Sequence, residues 1–191
     1  MKSFLLLLLF VANFCFSQTQ KADLVFNDGD TLSGYGMVTK NHKIKFRISL
    51  DDKPDKWTFL MIKRIVFYGF NMTKTFDYIK INANQKPILA ELIREGKVNM
   101  YKELEVGGFY STSIGNDLNN RHIVYKKTKS TTTYIKRANE DIATNLNGNF
   151  KKKSLEYFKD CSDITDVFKD KTYLNYRIED LVIEYNLYCS D

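Results

Sequence analysis

The spacing of apolar residues changes once along this chain of 191 residues, and that change predicts its fold class. Before Asn149, apolar and polar residues alternate in short runs, and a period of two places the apolar ones on one face of a strand. After Asn149, apolar residues recur every three or four positions, which is the period of an amphipathic helix. The sequence therefore predicts an α+β protein, with an antiparallel β-sheet or partly open barrel followed by a C-terminal helical pair.

A hairpin turn is predicted at Asn27, Asp28, Gly29 and Asp30, between the apolar run of residues 22–26 and the run of residues 31–38. Glycine suits this position because tight hairpin turns require positive φ angles. A second hairpin is predicted around Glu95-Gly96, between residues 88–93 and residues 97–104. Because the run of residues 88–93 is short and contains Ala90, Glu91 and Leu92, a helix is the alternative there.

Further strands are expected wherever apolar residues alternate with charged ones. In residues 44–50, Ile44, Phe46, Ile48 and Leu50 alternate with Lys, Arg and Ser, so all four should face a core. β-rich runs with turn signals between them also occur at residues 57–61, 62–68, 73–81, 123–125 and 131–135. Their spacing is typical of a meander or a small barrel.

Both helical stretches carry a cysteine on their apolar side. The apolar positions are Leu155, Phe158, Cys161, Ile164 and Phe168 in the first stretch, and Ile178, Leu181 or Val182, Tyr185 and Cys189 in the second. Antiparallel packing of the two helices would bring Cys161 and Cys189 together, and a disulfide there would contribute about 3 to 4 kcal/mol in the chain-entropy model. Two separate buried thiols are the alternative.

The first seventeen residues have the pattern of a secretory signal peptide. Lys2 precedes an apolar run over residues 4–16, and the small residues Cys15 and Ser17 occupy the −3 and −1 positions before Gln18. The run is too short for a comfortable membrane span, and lipidation of Cys15 is disfavoured because Asn13 and bulky Phe14 precede it. We expect a signal peptide at 1–17, an antiparallel β domain at 18–137 and a helical region at 138–191.

Export would set the compartment, the redox state and the partners of the mature chain. Its destination would be the periplasm, the envelope or the exterior, with no transmembrane segment after cleavage and with disulfides permitted. The chain carries 29 Lys and Arg against 23 Asp and Glu, a net charge of +6, which favours anionic envelope components over nucleic acid as partners. Lysines that only solubilise a β-rich surface are the alternative interpretation.

No familiar catalytic signature accompanies this pattern. His42 and His122 have no partner at the spacing of a metal site, so neither a metal nor a cofactor is expected. No serine lies in a glycine-flanked elbow, and no catalytic residue is assigned. Carboxylates pair locally at Asp28 with Asp30, Asp51 with Asp52, and Glu140 with Asp141, but these positions are in predicted turns or exposed stretches.

A long polar stretch with two adjacent glycines, residues 107–120, is the candidate interaction loop, because loops of this length are often functional. Its candidate contact residues are Gly107, Gly108, Phe109, Tyr110 and Asn116. Without a catalytic constellation, the sequence favours a non-enzymatic binding module of the bacterial cell envelope. A small secreted hydrolase is the alternative, since carboxylates from distant strands can meet in the fold.

Short motifs spread over most of the mature chain carry a resemblance to a family. They are Asn27-Asp28-Gly29-Asp30-Thr31 with Gly34, Glu95-Gly96-Lys97 before Tyr101, Phe158-Lys159-Asp160-Cys161, and Tyr185-Asn186. In these motifs the chain resembles a loose group of uncharacterised secreted proteins of Bacteroidetes-type bacteria. The resemblance implies a β-rich body followed by short helices, and it implies no activity. Ser162 stands where members of the group carry a proline after the helix cysteine.

Overall fold

The computed structural model describes residues 19–39, 41–69, 72–103, 132–169 and 176–189. The predicted signal peptide, the candidate interaction loop at residues 107–120, the predicted strand at residues 123–125 and His122 lie outside the described residues. The chain divides into two compact units, Met1–Tyr78 and Ile79–Asp191, called unit 1 and unit 2 below.

Unit 1 is built from antiparallel strands joined by short turns. They are β1 (Gln20–Phe26), β2 (Thr31–Val38), β3 (Ile44–Arg47), β4 (Asp55–Trp57), β5 (Ile62–Gly69) and β6 (Met72–Ile79), whose last residue is the first of unit 2. Their spatial order is β6-β5-β1-β2-β3-β4, so the first strand lies inside the sheet, between β5 and β2. The turn from Asn27 to Asp30 joins β1 to β2, with Gly29 at φ 100°.

One face of the unit 1 strands is apolar and buried, as the alternating pattern predicts. Its fully or nearly fully buried side chains are Ala22, Leu24, Ile44, Phe46, Ile62, Ile65, Phe67 and Phe76. On this face the Tyr78 hydroxyl of β6 donates to the His42 carbonyl beside β3, at 2.5 Å, and Phe26 of β1 meets Trp57 of β4 edge to face at 5.5 Å. Contacts between strands that are not neighbours show that the sheet curls around its own core.

Two glycines of β2 allow this curl because a side chain has no space there. A Cβ on Gly34 would lie 2.4 Å from the backbone oxygen of Arg47 and 2.8 Å from the Phe46 ring. A Cβ on Gly36 would lie 2.8 Å from the Ile65 side chain. The Phe46 ring thus packs across the backbone of β2, and glycine marks the close approach.

The prediction for residues 44–50 is wrong in its second half. Ile44 and Phe46 are buried, but β3 ends at Arg47, and Ile48 and Leu50 are 64% and 48% exposed. The strand ends because the Ser49 N–H donates to Asp52 Oδ2 at 2.8 Å and the Asp52 N–H donates to the Ser49 carbonyl, which turns the chain. Local side-chain bonds of this kind compete with the ladder of a sheet.

The strand expected at residues 57–61 also differs from the structure. β4 ends at Trp57, and the residues after it form a turn held by bonds from Asn27. The Asn27 side-chain amide donates to the carbonyls of Phe59 and Leu60, and its backbone N–H donates to the Met61 carbonyl. The β1–β2 turn therefore fixes the turn between β4 and β5.

Unit 2 contains four further antiparallel strands among its described residues. They are β7 (Ile88–Arg94), β8 (Val98–Glu103), β9 (Thr133–Arg137) and β10 (Thr144–Asn145), in the order β10-β9-β8-β7. The run beginning at Ile88 is thus a strand and not a helix, because its residues pair with β8 across the Glu95-Gly96 turn. Together with the C-terminal helices, these strands confirm the predicted α+β class.

The described part of the C-terminal region holds three helices where the sequence predicts a pair. They are α1 (Phe150–Tyr157), α2 (Ser162–Val167) and α3 (Ile178–Tyr188). The chain turns after Tyr157, and Cys161 is extended at φ −123° and ψ 111°, so the first apolar stretch is split. Phe158, Cys161, Ile164 and Phe168 still share one core, because each side chain points to the same cluster.

Cys161 and Cys189 form a disulfide pair with Cα atoms 5.6 Å apart, as the sequence predicts. The pair joins the residue before α2 to the end of α3 and closes a loop with a sequence separation of 28. Within the described residues, no helix has the length and apolar character needed to span a membrane.

The two faces of the unit 2 strands pack against different clusters. Val98, Met100 and Ile135 face the helices, together with Phe158, Leu181, Val182 and other buried residues. Tyr101, Tyr134 and Ala90 lie on the other face with Ile79 and Ala143. Asn186 holds α3 against β8, since its side-chain amide accepts from the Val98 N–H and donates to the Val98 carbonyl, both at 2.9 Å.

The close approach at Gly34 gives a stability test. We expect Gly34→Ala to lower the free energy of unfolding by about 1–3 kcal/mol, the usual cost of overpacking, because the new methyl group meets backbone atoms. Urea unfolding of the two proteins measures this difference. Gly69→Ala is the matched control, since a Cβ there has ordinary contacts of 3.7 Å or more. Equal effects of the two substitutions would contradict the proposed role of Gly34.

Candidate functional site

A groove of about 360 Å³ lies on the helix side of unit 2. Strands β8 and β9 contribute Met100 and Thr133, and the start of α1 contributes Phe150. The other wall is the chain that enters α3, with Tyr176, Arg177, Ile178 and Glu179. The groove therefore lies where the first turns of two helices meet the sheet.

Hydrogen bonds fix the wall that leads into α3. The Arg177 N–H donates to Asp180 Oδ2 at 2.8 Å, which caps the start of the helix. The Tyr176 hydroxyl donates to Glu184 Oε1 at 2.9 Å, so its ring lies along the helix. These bonds fix the backbone at Arg177 and the ring of Tyr176 without a ligand.

The groove combines an apolar floor with charged edges. Met100 is buried, Phe150 and Ile178 are partly buried, and Phe150 packs edge to face on Phe168 at 6.2 Å. At the rim, Glu179 is paired with Arg94 at 2.7 Å, whereas Arg177 is 79% exposed and lies 3.5 Å from Asp180. Such a site can hold an apolar group and place an anionic group beside Arg177.

A cluster of polar side chains around Arg137 ties β9 to the helices next to this groove. The guanidinium group of Arg137 lies over the rings of Tyr157 and Tyr185, 4.8 Å and 5.1 Å from their centroids. Its Nη2 atom donates to Asp160 Oδ1 at 2.7 Å and to the Tyr157 carbonyl at 2.9 Å. The Tyr185 hydroxyl donates to the other Asp160 oxygen at 2.6 Å.

Glu140 completes this group, called the Arg137 cluster below. Its Oε2 atom accepts from the Tyr157 hydroxyl at 2.8 Å and from the Arg137 backbone N–H at 2.9 Å. Burial raises the pKa of the Tyr157 hydroxyl, and the bond to Glu140 raises it further. Burial and the bond to Asp160 also raise the pKa of Tyr185. Both tyrosines therefore stay protonated and act as donors at neutral pH.

The electrostatics of the cluster favour a charged Asp160. Partial burial acts to raise the pKa of its carboxyl group, but the bonds from Tyr185 and Arg137 and the guanidinium charge outweigh burial and lower it. The pKa of Asp141 is lowered too, chiefly by its hydrogen bond with Lys80. A general acid needs a raised pKa, so neither carboxylate is suited to that role at neutral pH.

The other carboxylates singled out in the sequence stabilise turns. Asp28 Oδ1 accepts from the Asp30 N–H at 3.1 Å, and Asp52 caps Ser49. Glu140 and Asp141, adjacent in sequence, have separate partners, Tyr157 and Lys80. The described residues contain no group of three or more His, Cys, Asp or Glu side chains able to hold a metal ion.

The groove and the Arg137 cluster were not predicted as sites, although part of the signal was visible. The motifs Phe158-Lys159-Asp160-Cys161 and Tyr185-Asn186 meet in the structure through the Tyr185–Asp160 bond and the disulfide. Asn186 also approaches Gly96, where a Cβ would lie 2.4 Å from its amide nitrogen. No sequence pattern marks Arg137, because its partners Asp160 and Tyr185 are distant in the chain. None marks Arg177 either, because it is an exposed residue next to the start of a helix.

No protein-family model, no curated protein and no solved structure matches this chain.

The lowered pKa of Asp160 predicts a specific pH dependence. The stabilisation by its carboxylate is complete above the ordinary carboxyl pKa of about 3.9 and is lost as the pH falls through the lower value of the folded state. We therefore expect the difference in free energy of unfolding between the wild type and Asp160→Asn to shrink as the pH is lowered below about 4.

Urea unfolding over an acidic pH series measures that difference. Asp163→Asn is the control, because Asp163 is an exposed carboxylate outside the Arg137 cluster. A difference for Asp160→Asn that stays constant with pH would mean that the carboxylate does not stabilise the cluster by its charge.

Proposed function

We propose that this chain is an exported, non-enzymatic binding module of the bacterial cell envelope. The sequence of residues 1–17 supports export, and the Cys161–Cys189 pair is consistent with an oxidising compartment. The resemblance to secreted Bacteroidetes-type proteins points the same way. On this proposal the mature chain acts in the periplasm, at the envelope or outside the cell.

The groove of unit 2 is the observation that carries the binding role. Its wall at the start of α3 is held by bonds from the Tyr176 hydroxyl and the Arg177 backbone N–H, and its floor offers Met100, Phe150 and Ile178 to an apolar group. Arg177 projects into solvent at the rim, and the whole chain has a net charge of +6. An envelope protein or component that presents an apolar group next to an acidic one fits these features.

The hydrolase alternative has less support. Hydrogen bonds lower the pKa of the carboxyl groups of Asp160 and Asp141, which favours their charged form. Asp160 accepts bonds from Tyr185 and Arg137, so both of its oxygens are engaged. These contacts suit a cluster that stabilises the packing of α1 and α3 better than one that transfers protons.

Export has a direct mass-spectrometric test. We expect the protein recovered from its host's exported fraction to begin at Gln18 and to leave Cys161 and Cys189 unalkylated until a reductant is added. Intact mass before and after reduction measures both properties together. A retained N-terminal segment, a lipid on Cys15 or two freely alkylated thiols would contradict this part of the proposal.

The binding role of the groove is tested by charge reversal at its rim. We expect Arg177→Glu to weaken retention on washed envelopes by about two- to fivefold, the range that an exposed ion pair of about 0.5–1 kcal/mol gives. Lys152→Glu is the matched control, because Lys152 is exposed on α1, outside the groove lining, and its replacement changes the net charge equally. Equal retention of the two variants would argue against the groove.

A further inference from the structure

The outer face of strands β1 to β4, opposite the core of unit 1, is basic. The strand register pairs Lys21 of β1 with Tyr35 of β2, Tyr35 with Arg47 of β3, and Lys45 of β3 with Lys56 of β4. Paired residues of neighbouring strands lie on the same side of a sheet. Each of the five alternates along its strand with residues on the core side, so all five lie on the outer face. They are called the basic face below.

The lysines of the basic face are accessible and have no carboxylate partner. Lys21 and Lys56 are exposed, and Lys45 is partly exposed. Among the described residues, none of the three takes part in an ion pair. Asp23 is the one acidic residue on the outer face of the described strands β1 to β4, and its Oδ2 atom accepts from the Tyr68 hydroxyl at 2.6 Å. The positive charge of this face is therefore largely uncompensated.

Arg47 adds a charge that no described carboxylate neutralises. It donates through Nη1 to the Leu50 carbonyl at 2.6 Å and through Nη2 to Thr19 Oγ1 at 3.1 Å, and both acceptors are neutral. Its Nε atom is buried and has no hydrogen-bond partner among the described residues. The guanidinium group is thus held in one position, in the strand pair with Tyr35, and its charge stays available to a ligand.

The pairing of Lys45 with Lys56 is the observation that points to an anion. Residues directly opposite each other on two strands have Cβ atoms about 5 Å apart, and like charges in this arrangement destabilise a sheet. Protection of a sheet edge accounts for a lysine on the edge strand β4, but β3 lies inside the described sheet. An anion placed between the two ammonium groups would remove their repulsion.

The other side chains of this face favour an acidic polysaccharide over a bilayer or a nucleic acid. Binding to a bilayer needs apolar side chains that insert, whereas Val25 and Met37, the apolar ones on this face of β1 to β4, are partly buried. Single-stranded nucleic acid stacks successive bases on several aromatic rings, and Tyr35 is the one aromatic residue on this described face. A chain of acidic sugars instead needs cations for its carboxylates and polar groups for its hydroxyls.

We infer that the basic face binds an acidic polysaccharide. Lys45 and Lys56 share one carboxylate of the chain, and Lys21 and Arg47 lie on either side of Tyr35, about 10 Å apart at a strand spacing of about 4.8 Å. The Tyr35 hydroxyl between them can donate to a sugar hydroxyl and accept from another. This inference goes beyond the proposed role of the groove, because it concerns unit 1 and uses no residue of the groove.

Titration calorimetry with oligogalacturonate, a chain of carboxylate-bearing sugars, tests the inference on the purified protein. We expect the wild type to bind this oligosaccharide, and to bind it less tightly as salt is added, because salt screens exposed charges. The methyl ester of the same oligosaccharide, which has no charge, should not bind. Arg177→Glu should bind as the wild type does, so failure of the groove proposal would leave this result unchanged.

The decisive variant is Lys45→Gln with Lys56→Gln. We expect it to weaken binding by about fivefold or more, the loss that two exposed ion pairs give. Lys152→Gln with Lys159→Gln is the matched control, because both lysines are exposed in unit 2 and their loss lowers the net charge equally. Without ligand, the urea midpoint of Lys45→Gln with Lys56→Gln should equal or exceed that of the wild type, since the opposed charges are gone.

Acetylation of lysines, followed by mass spectrometry, shows where the oligosaccharide lies. It should slow the modification of Lys45 and Lys56 and leave Lys152 unchanged. The inference is overturned if the wild type does not bind oligogalacturonate, if the methyl ester binds equally, if both double variants lose the same affinity, or if Lys45 and Lys56 gain no protection. Tighter binding to oligothymidylate or to vesicles with phosphatidylglycerol would also overturn it, and would point to a nucleic acid or a membrane.

Discussion

The packing of the C-terminal region depends on the contacts of the Arg137 guanidinium group. It lies over the rings of Tyr157 and Tyr185 and bonds Asp160, so one side chain of β9 contacts α1, the turn before Cys161 and α3. Burial of a charge is costly unless it is paired, and here Asp160 supplies the partner. The disulfide from Cys161 to Cys189 joins the start of α2 to the end of α3, and the Asn186–Val98 bonds hold α3 against β8.

The two units differ in how they present apolar side chains outside their cores. In unit 2 the apolar side chains Met100, Phe150 and Ile178 form the floor of a groove, and charge is confined to the rim. In unit 1 Ile48 is 64% exposed on a turn that bonds of Arg47 and Asp52 hold in place. A groove with a charged rim suits one group of a partner molecule.

The local sequence patterns correctly predicted the first hairpin turn and the strand that begins at Ile88. Gly29 has the positive φ that the hairpin requires, and the run at Ile88 forms a strand that pairs across Gly96. The same patterns failed at Ile48 and Leu50, because side-chain bonds of Arg47 and Asp52 end β3 before the alternation ends. Periodicity reports which residues share a face, but the length of the face depends on such competing bonds.

The sequence by itself determined the α+β class, the first hairpin, the apolar faces of the helices and the pairing of Cys161 with Cys189, because these follow from spacing along the chain. Only the tertiary structure decided the groove and the Arg137 cluster. Met100, Phe150 and Ile178 come from three separate elements, and Arg137 lies 23 residues before Asp160. Such residues become neighbours through burial of a shared core, and no local rule specifies which distant side chains the core brings together.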